Sequence, residues 1–381
     1  MTTEKLIIEH FGPIKKMAFD FNKINILIGD QGTGKSLVAK TLIAVRNSVF
    51  IEIFDLEFSS KLDKETARFL EHMKLVGILN YVNEKTVIKY YRDDASLEFA
   101  KGKAVVSRDD FNIGEVLPPN FNYIPAERNM VSVLADSLYA LLQVDAELPR
   151  LFLRFGNKYQ SARKLKENFD YSDVLRIQFR HHNNKDFIVT HDNIELNLSD
   201  ASSGIQGCVA LLTVVDSAIY FPTISGRRMI PFEESLNLLA VEEPELNLFP
   251  ETQKKLLNYI IRNNYFDVNY ENSDKNNFTE RGYKNQLLFT THSPYILTAL
   301  NNLMYAYSVG EKYRQEVNEV INEDYWVSPK DVSAYMLLPT GTCEEILDKS
   351  ENLIKAEKID SVSSFLNEQF EKLLNIELIK K

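Results

Sequence analysis

Short apolar runs separated by turn residues dominate the first thirty positions. Leu6 to Phe11, Met17 to Asn22 and Ile24 to Gly29 are spaced as strands, with Gly12-Pro13 marking the first reversal. Lys35 to Asn47 has helical spacing, as do residues 60 to 80. Thr86 to Tyr91, Ala95 to Ala100 and Lys103 to Ser107 alternate with period two and predict an antiparallel meander. Phe121 to Pro125 is a further strand, followed by helices over about 130 to 143 and 147 to 167 and by strands at Leu175 to Arg180, Phe187 to Thr190 and Ile194 to Leu198. The pattern then changes. Ser203 to Tyr220 predicts a helix, Leu236 to Val241 a strand apolar on both faces, Pro250 to Asn263 a helix, and Gln286 to Thr290 a second such strand. Residues 266 to 286 are polar and predict a surface loop, and Ser350 to Leu378 has helical spacing. Continuous apolar strands alternating with helices imply an α/β fold interrupted by antiparallel strands.

Composition narrows the function classes. With 381 residues, 44% of them hydrophobic, the chain can bury a substantial core. A net charge of −10 gives no support to a surface built to neutralise phosphates, although a local basic patch is compatible with it. Cys208 and Cys343 have neither metal-ligand spacing nor disulfide density, so a reducing, cytoplasmic setting is expected. No apolar run reaches about 18 residues, and neither a leader nor a membrane span is expected. No heptad run predicts long coiled-coil arms.

The chemistry concentrates in four motifs. Gly29, Asp30, Gln31, Gly32, Thr33, Gly34, Lys35 and Ser36 fit G-x4-G-K-[ST], between an apolar strand and a helix-forming run. Such a turn presents backbone N–H groups and a helix N-terminus to phosphates, with Lys35 on the β- and γ-phosphates and the Ser36 hydroxyl on Mg²⁺. In Leu238-Leu-Ala-Val-Glu242-Glu243-Pro244 an apolar strand ends on two acids, Glu242 as metal partner and Glu243 as general base toward the attacking water. Thr290-Thr-His292-Ser-Pro ends another apolar strand with a histidine placed to orient that water. Ala201-Ser-Ser203-Gly204-Ile-Gln206 opens an apolar helix with small residues, either an ordinary Ser cap or a second phosphate grip.

In this order, GDQGTGKS, ASSGIQ, LLAVEEPELNLFP and FTTHSP resemble the ABC ATPase superfamily, in the branch of the SMC, RecF and OLD-type ATPases. The resemblance implies an α/β core with a mixed sheet, antiparallel β insertions and a helical lobe, and ATP and Mg²⁺ as cofactors. It implies a homodimer in which Ser203 and Gly204 act on the partner's nucleotide, Glu243 as catalytic glutamate and His292 as switch histidine. It divides the chain into an ATPase domain over 1–305, with nucleotide-binding parts at 1–125 and 200–305 and an insertion at about 126–199, and a C-terminal α/β extension over 306–381. Four positions depart from the pattern. Glu242 stands where Asp is commoner, Ile205 replaces a signature glycine, and Phe249 occupies the place of a D-loop aspartate. No Q-loop glutamine is evident. Its place falls at Tyr123 to Arg128, where Glu127 or Arg128 either meets metal, water or phosphate or serves in a buried ion pair. Residues 306–381 lack a D-x-D pair and are too few for a TOPRIM nuclease, so nucleic-acid cleavage by this chain alone is not expected. Trp326, Tyr335 and the apolar face of Phe365, Phe370 and Leu373 either pack on the core or hold a partner. The implied role is an ATP-dependent switch or sensor with a separate effector in bacterial antiphage defence. A DNA-binding repair ATPase and a transporter subunit are the alternatives.

Overall fold

The computed structural model describes residues 4–50, 63–107, 120–134, 148–220, 237–264, 285–348 and 350–355. The polar loop expected at 266–286 lies almost wholly outside these residues. So do residues 356–378 of the helix expected at Ser350 to Leu378, with Phe365, Phe370 and Leu373, and the second half of the helix expected at 130–143. The described start of the former is not helical, because Asp348 Oδ1 accepts from Ser350 N and Glu351 N and turns the chain into the strand Leu353–Ile354.

The expected mixed α/β architecture is present. Strands β1 (Glu4–Phe11) and β2 (Ile14–Phe21) form a hairpin, and β3 (Ile24–Gly29) leads through the glycine-rich turn into α1 (Lys35–Phe50). Helix α2 (Lys64–Leu75) precedes β4 (Val87–Arg92), β5 (Ala95–Ala100) and β6 (Lys103–Ser107). The meander is therefore real but not separate, because β4 pairs with β1 and closes a five-stranded antiparallel sheet of order β2-β1-β4-β5-β6.

Strand β7 (Asn120–Ile124) is followed by a one-turn helix, Ala126–Arg128, and α3 (Asn129–Leu134). Helix α4 (Arg150–Ala162), β8 (Asn168–Asp170), α5 (Ser172–Leu175), β9 (Ile177–His182), β10 (Lys185–Thr190) and β11 (Glu195–Asn197) make the insertion, whose strands form their own sheet. Helix α6 (Ser203–Tyr220), β12 (Asn237–Glu242), α7 (Pro250–Asn264), β13 (Asn285–Thr291) and α8 (Pro294–Gly310) return to the main layer. A short α9 (Arg314–Val320) then leads to β14 (Val332–Leu337), β15 (Cys343–Glu345) and the small β16 (Leu347–Asp348) and β17 (Leu353–Ile354) pair.

The main sheet has the order β15-β14-β3-β13-β12-β7. Every pairing from β14 to β7 is parallel, and β15 is an antiparallel edge. Parallel strands covered on both faces need apolar residues at successive positions. Ile24, Ile26 and Ile28 of β3 accordingly face one core with Leu239, Val241, Leu287 and Phe289, against α6, α7 and α8. Leu27, Leu238, Ala240 and Leu288 face the other, against α1 and the antiparallel sheet. The division expected at residue 305 falls inside α8, and β14 lies beyond it, hydrogen-bonded along the whole of β3. Trp326 and Tyr335 are buried in this packing.

One ionic cluster ties the two sheets together. Glu4, on β1, is buried and accepts from Arg46 Nε at 2.8 Å and Nη2 at 2.5 Å, Tyr90 Oη at 2.7 Å and Gln286 Nε2 at 3.0 Å, with Arg92 Nη1 at 3.4 Å. Burial alone would raise the Glu4 pKa, but the charges of Arg46 and Arg92 and these hydrogen bonds bring it down to about 2, from 4.5. A carboxylate so depressed contributes stability that is complete above the unfolded pKa and is lost as pH falls from about 4.5 through about 2. Glu4→Gln leaves the fully buried Arg46 without its counter-charge, and should cost about 3–5 kcal/mol in urea melts at pH 7. The gap from wild type should narrow as the melts are repeated toward pH 2. A variant as stable as wild type at neutral pH would contradict this role.

Candidate functional site

The topology brings the motifs together at the carboxyl ends of adjacent strands. The glycine-rich turn follows β3, Glu242 ends β12, and His292 follows β13, which runs between them. Open parallel sheets place their sites at such strand ends.

The turn after β3 is stiffened by the Thr33 hydroxyl, which donates to the Asp30 carbonyl at 2.8 Å. Gly29 has φ 155°, and a Cβ there would stand 2.3 Å from the Leu337 carbonyl of β14, so no side chain fits. Helix α1 opens with its first intrahelical bond from Val38 N to Gly34 O, leaving the N–H groups of its first turn directed toward the loop. Lys35 is buried, and its ammonium folds back to donate to the carbonyls of Gly29 at 2.8 Å and Asp30 at 2.9 Å. Burial lowers the Lys35 pKa, while the facing acids Glu243, Glu245, Asp30 and Glu242 act in the opposite sense. The lysine thus shares an electrostatic environment with the acids at the end of β12. Asp30, Gln31 and Gly32 are exposed at the mouth of the loop, and Ser36 is half-buried at the start of α1.

The two acids differ sharply. Glu242 is buried, and its Oε2 accepts weakly from Ala126 N at 3.4 Å. Its Oε1 is buried with no well-formed hydrogen bond among the described residues, and the buried Tyr123 hydroxyl, likewise without one, lies beside the carboxylate. A buried carboxylate oxygen left in this state is suited to a cation. Glu243 turns outward from a left-handed backbone, φ 42°, with its N–H on the Thr290 carbonyl at 2.8 Å. Its Oε1 lies 3.5 Å from His292 Nε2, and each side chain is about one-third exposed. The His292 backbone N–H donates to Glu245 Oε1 at 2.6 Å, fixing the β13 end to the β12 turn. Behind it, Ser293 caps α8 and donates to Gln253 Oε1 at 2.6 Å.

Ser203 and Gly204 begin α6, and a Cβ on Gly204 would stand 2.3 Å from the Asn247 carbonyl. The signature helix therefore starts directly on the loop that follows Glu243. Gln206 does not face outward. It is buried, donating to the carbonyls of Ser199 and Ala201 and accepting from Ser132 Oγ at 3.3 Å. Phe249 is 75% exposed on the same loop.

Arg128, whose role the sequence left open between ligand contact and ion pair, is bonded among the described residues to backbone carbonyls. Its buried guanidinium donates to the carbonyls of Glu242 and Glu243, both at 2.7 Å, and more weakly to those of Pro125 and Pro244. Glu127 is exposed. The signal that could have found Arg128 is its position just after a parallel strand neighbouring β12, but strand adjacency is not visible in sequence.

The site thus joins a glycine-rich turn at a helix start to strand-end acids that face its lysine, in a mixed sheet flanked by an antiparallel one. Residues 141–297 match the family described as the AAA ATPase domain, a stretch that contains the signature helix, Glu242, Glu243 and His292 and begins after the P-loop. No curated protein matches the chain. Among solved structures, the SMC head domain from Thermotoga maritima is 10% identical, with a TM-score of 0.38, over 78% of this chain and 92% of its own. An Smc head domain derived from Pyrococcus furiosus, with an extended coiled coil and bound to the C-terminal domain of ScpA, is 9% identical at TM-score 0.41, over 96% and 100%. The recombination mediator protein RecF is 9% identical at 0.39, over 90% and 98%. Among the described residues no helix is long and apolar enough to cross a membrane.

Proposed function

We propose that the chain binds Mg-ATP at Gly29 to Ser36 and hydrolyses it, with two copies closing on each other so that nucleotide occupancy sets the state of a separate effector. The observation that carries the chemistry is the 3.5 Å approach of Glu243 to His292, beside a lysine whose electrostatic neighbours are the acids of the β12 end. Lys35 exchanges its carbonyl partners for phosphate oxygens, and the N–H groups of the loop and of the first turn of α1 hold the remainder. Ser36 and the buried Oε1 of Glu242 fit Mg²⁺, which when bound would neutralise charge on the β- and γ-phosphates. Glu243 accepts the proton of the attacking water, and His292 orients that water toward the γ-phosphate.

The dimer is supported by the position of Ser203 and Gly204. They start a helix against the Asn247 loop, Gly204 buried on that loop and Ser203 exposed near the exposed Phe249, so that Ser203 offers the helix start to a facing surface. The effector and the defence role rest on the motif resemblance.

Complementation tests the composite site. Ser203→Arg should keep its own Walker A pocket and lose turnover, because a bulky cation occupies the approach to the partner's nucleotide. Lys35→Ala loses its own pocket and keeps its signature. In a two-fold heterodimer of the two, one site carries both defects and the other neither. An equal mixture should regain up to roughly a quarter of wild-type turnover, since half the dimers are mixed and each has one intact site. No recovery despite heterodimers demonstrated by tagged co-purification would argue against a signature acting in trans.

A further inference from the structure

Three successive carbonyls at the end of β12, those of Glu242, Glu243 and Pro244, converge on one guanidinium, and a fourth, from Pro125, joins them. Converging carbonyl dipoles repel one another unless a cation sits among them. The chain at this point is also in a conformation that residues other than glycine rarely adopt, Glu243 having φ 42°. Among the described residues two further backbone bonds hold Glu243, its N–H to Thr290 O and its carbonyl accepting from Leu246 N at 3.0 Å. The guanidinium reaches two of the carbonyls at 2.7 Å through separate nitrogens, Nη1 to Glu242 and Nη2 to Glu243, a fork that an ammonium cannot reproduce. Its Nε has no partner among the described residues, so the hydrogen bonding of the side chain is directed entirely at these carbonyls.

We propose that Arg128 is a positioning residue that clamps the left-handed turn and thereby aims the Glu243 carboxylate at His292. The proposal rests on the hydrolysis described above and adds to it the part that holds the general base. The stem of Arg128 lies against the signature helix at Gly207, and Ser132, one turn further along the same segment, bonds Gln206 of that helix. The clamp therefore joins the signature helix and the catalytic turn within one protomer, and a shift of the helix start on dimer closure acts on the turn through it. Among the described residues the hydrogen bonds of Arg128 go to the Pro125, Glu242, Glu243 and Pro244 carbonyls and not to the glycine-rich loop, so its loss should be felt in turnover and not in binding.

The test is a double-mutant cycle with a split of kcat from KM. Arg128→Lys should lower kcat by roughly tenfold or more, while KM and the affinity for a fluorescent ATP analogue change by less than about threefold. In the Glu243→Gln background the same substitution should change the residual rate by less than about threefold, because a residue that acts through Glu243 has nothing left to aim. Parallel loss of affinity and kcat, or losses that multiply fully in the double variant, would overturn the clamp and leave Arg128 a general packing residue. If Glu243→Gln is slow while Arg128→Lys is normal, the clamp falls and hydrolysis through Glu243 stands. If Glu243→Gln turns over at the wild-type rate, the general base falls and the clamp with it. Should Arg128→Lys lose its thermal transition, Arg128→Gln, which keeps a donor for one carbonyl, is carried through the same cycle with the same criteria.

Discussion

A Lys35→Ala protein should fold normally and bind ATP at least about 100-fold more weakly than wild type. The ammonium is the charged donor built into the loop, and charge-assisted hydrogen bonds to two phosphates are worth about 3 kcal/mol or more together. Folding should survive because the lysine contributes no apolar packing that alanine abolishes outright. Its bonds go to the carbonyls of Gly29 and Asp30, at a loop mouth that water can reach. Burial already disfavours its charged form, so removing it also removes a desolvated charge. Titration with a fluorescent ATP analogue, beside a thermal melt, makes the measurement. Undiminished affinity in a folded variant would remove the P-loop assignment, and the rest of the site would lose its ligand.

Glu243→Gln should show the opposite profile, with Mg-ATP retained and single-turnover hydrolysis reduced by roughly 10²- to 10⁴-fold. The amide keeps the size of the side chain and its left-handed backbone but cannot take a proton from water. Because Glu242, whose buried oxygen faces the proposed cation position, is untouched, binding should be unaffected. Quench-flow measurement under single-turnover conditions separates this from product release, and a rate near that of wild type would end the base assignment. The same variant should persist as a dimer with Mg-ATP and not with ADP if the γ-phosphate bridges two copies.

Much of the site could be read in advance because its parts are local. A P-loop announces itself within eight residues, and Leu238 to Val241 and Gln286 to Thr290 are strands apolar on both faces, a pattern that fixes them in the interior of a parallel sheet. Helix Ser203–Tyr220 and strands Ala95–Ala100 and Lys103–Ser107 begin and end where their periodicity places them. What the sequence concealed is pairing between distant segments. Strand Val332–Leu337 carries Ser333 and Tyr335, whose hydroxyls look exposed in sequence. Both are satisfied by the end of β2 and the residue that follows it, through Asn22 Nδ2 to Ser333 Oγ at 3.0 Å and Asp20 N to Tyr335 Oη at 2.9 Å. The meander could not be joined to β1 for the same reason, since Leu6 to Tyr90 is a pairing across most of the first hundred residues. Arg128 fits no periodic signal, because its partners are backbone carbonyls that carry no residue identity.

The place of β14 beside β3 also sets an order of events during synthesis. The glycine-rich loop is made long before its neighbours, because the strand that leads into it is flanked on one side only after residue 291 and on the other only after residue 337. Until then the backbone N–H and C=O groups of Ile24 to Gly29 form an open edge, and the Leu337 carbonyl that walls Gly29 does not yet exist. In the proposed function, nucleotide competence therefore waits for the synthesis of β14, and closure of two copies around ATP is reserved for chains whose main sheet has already been completed.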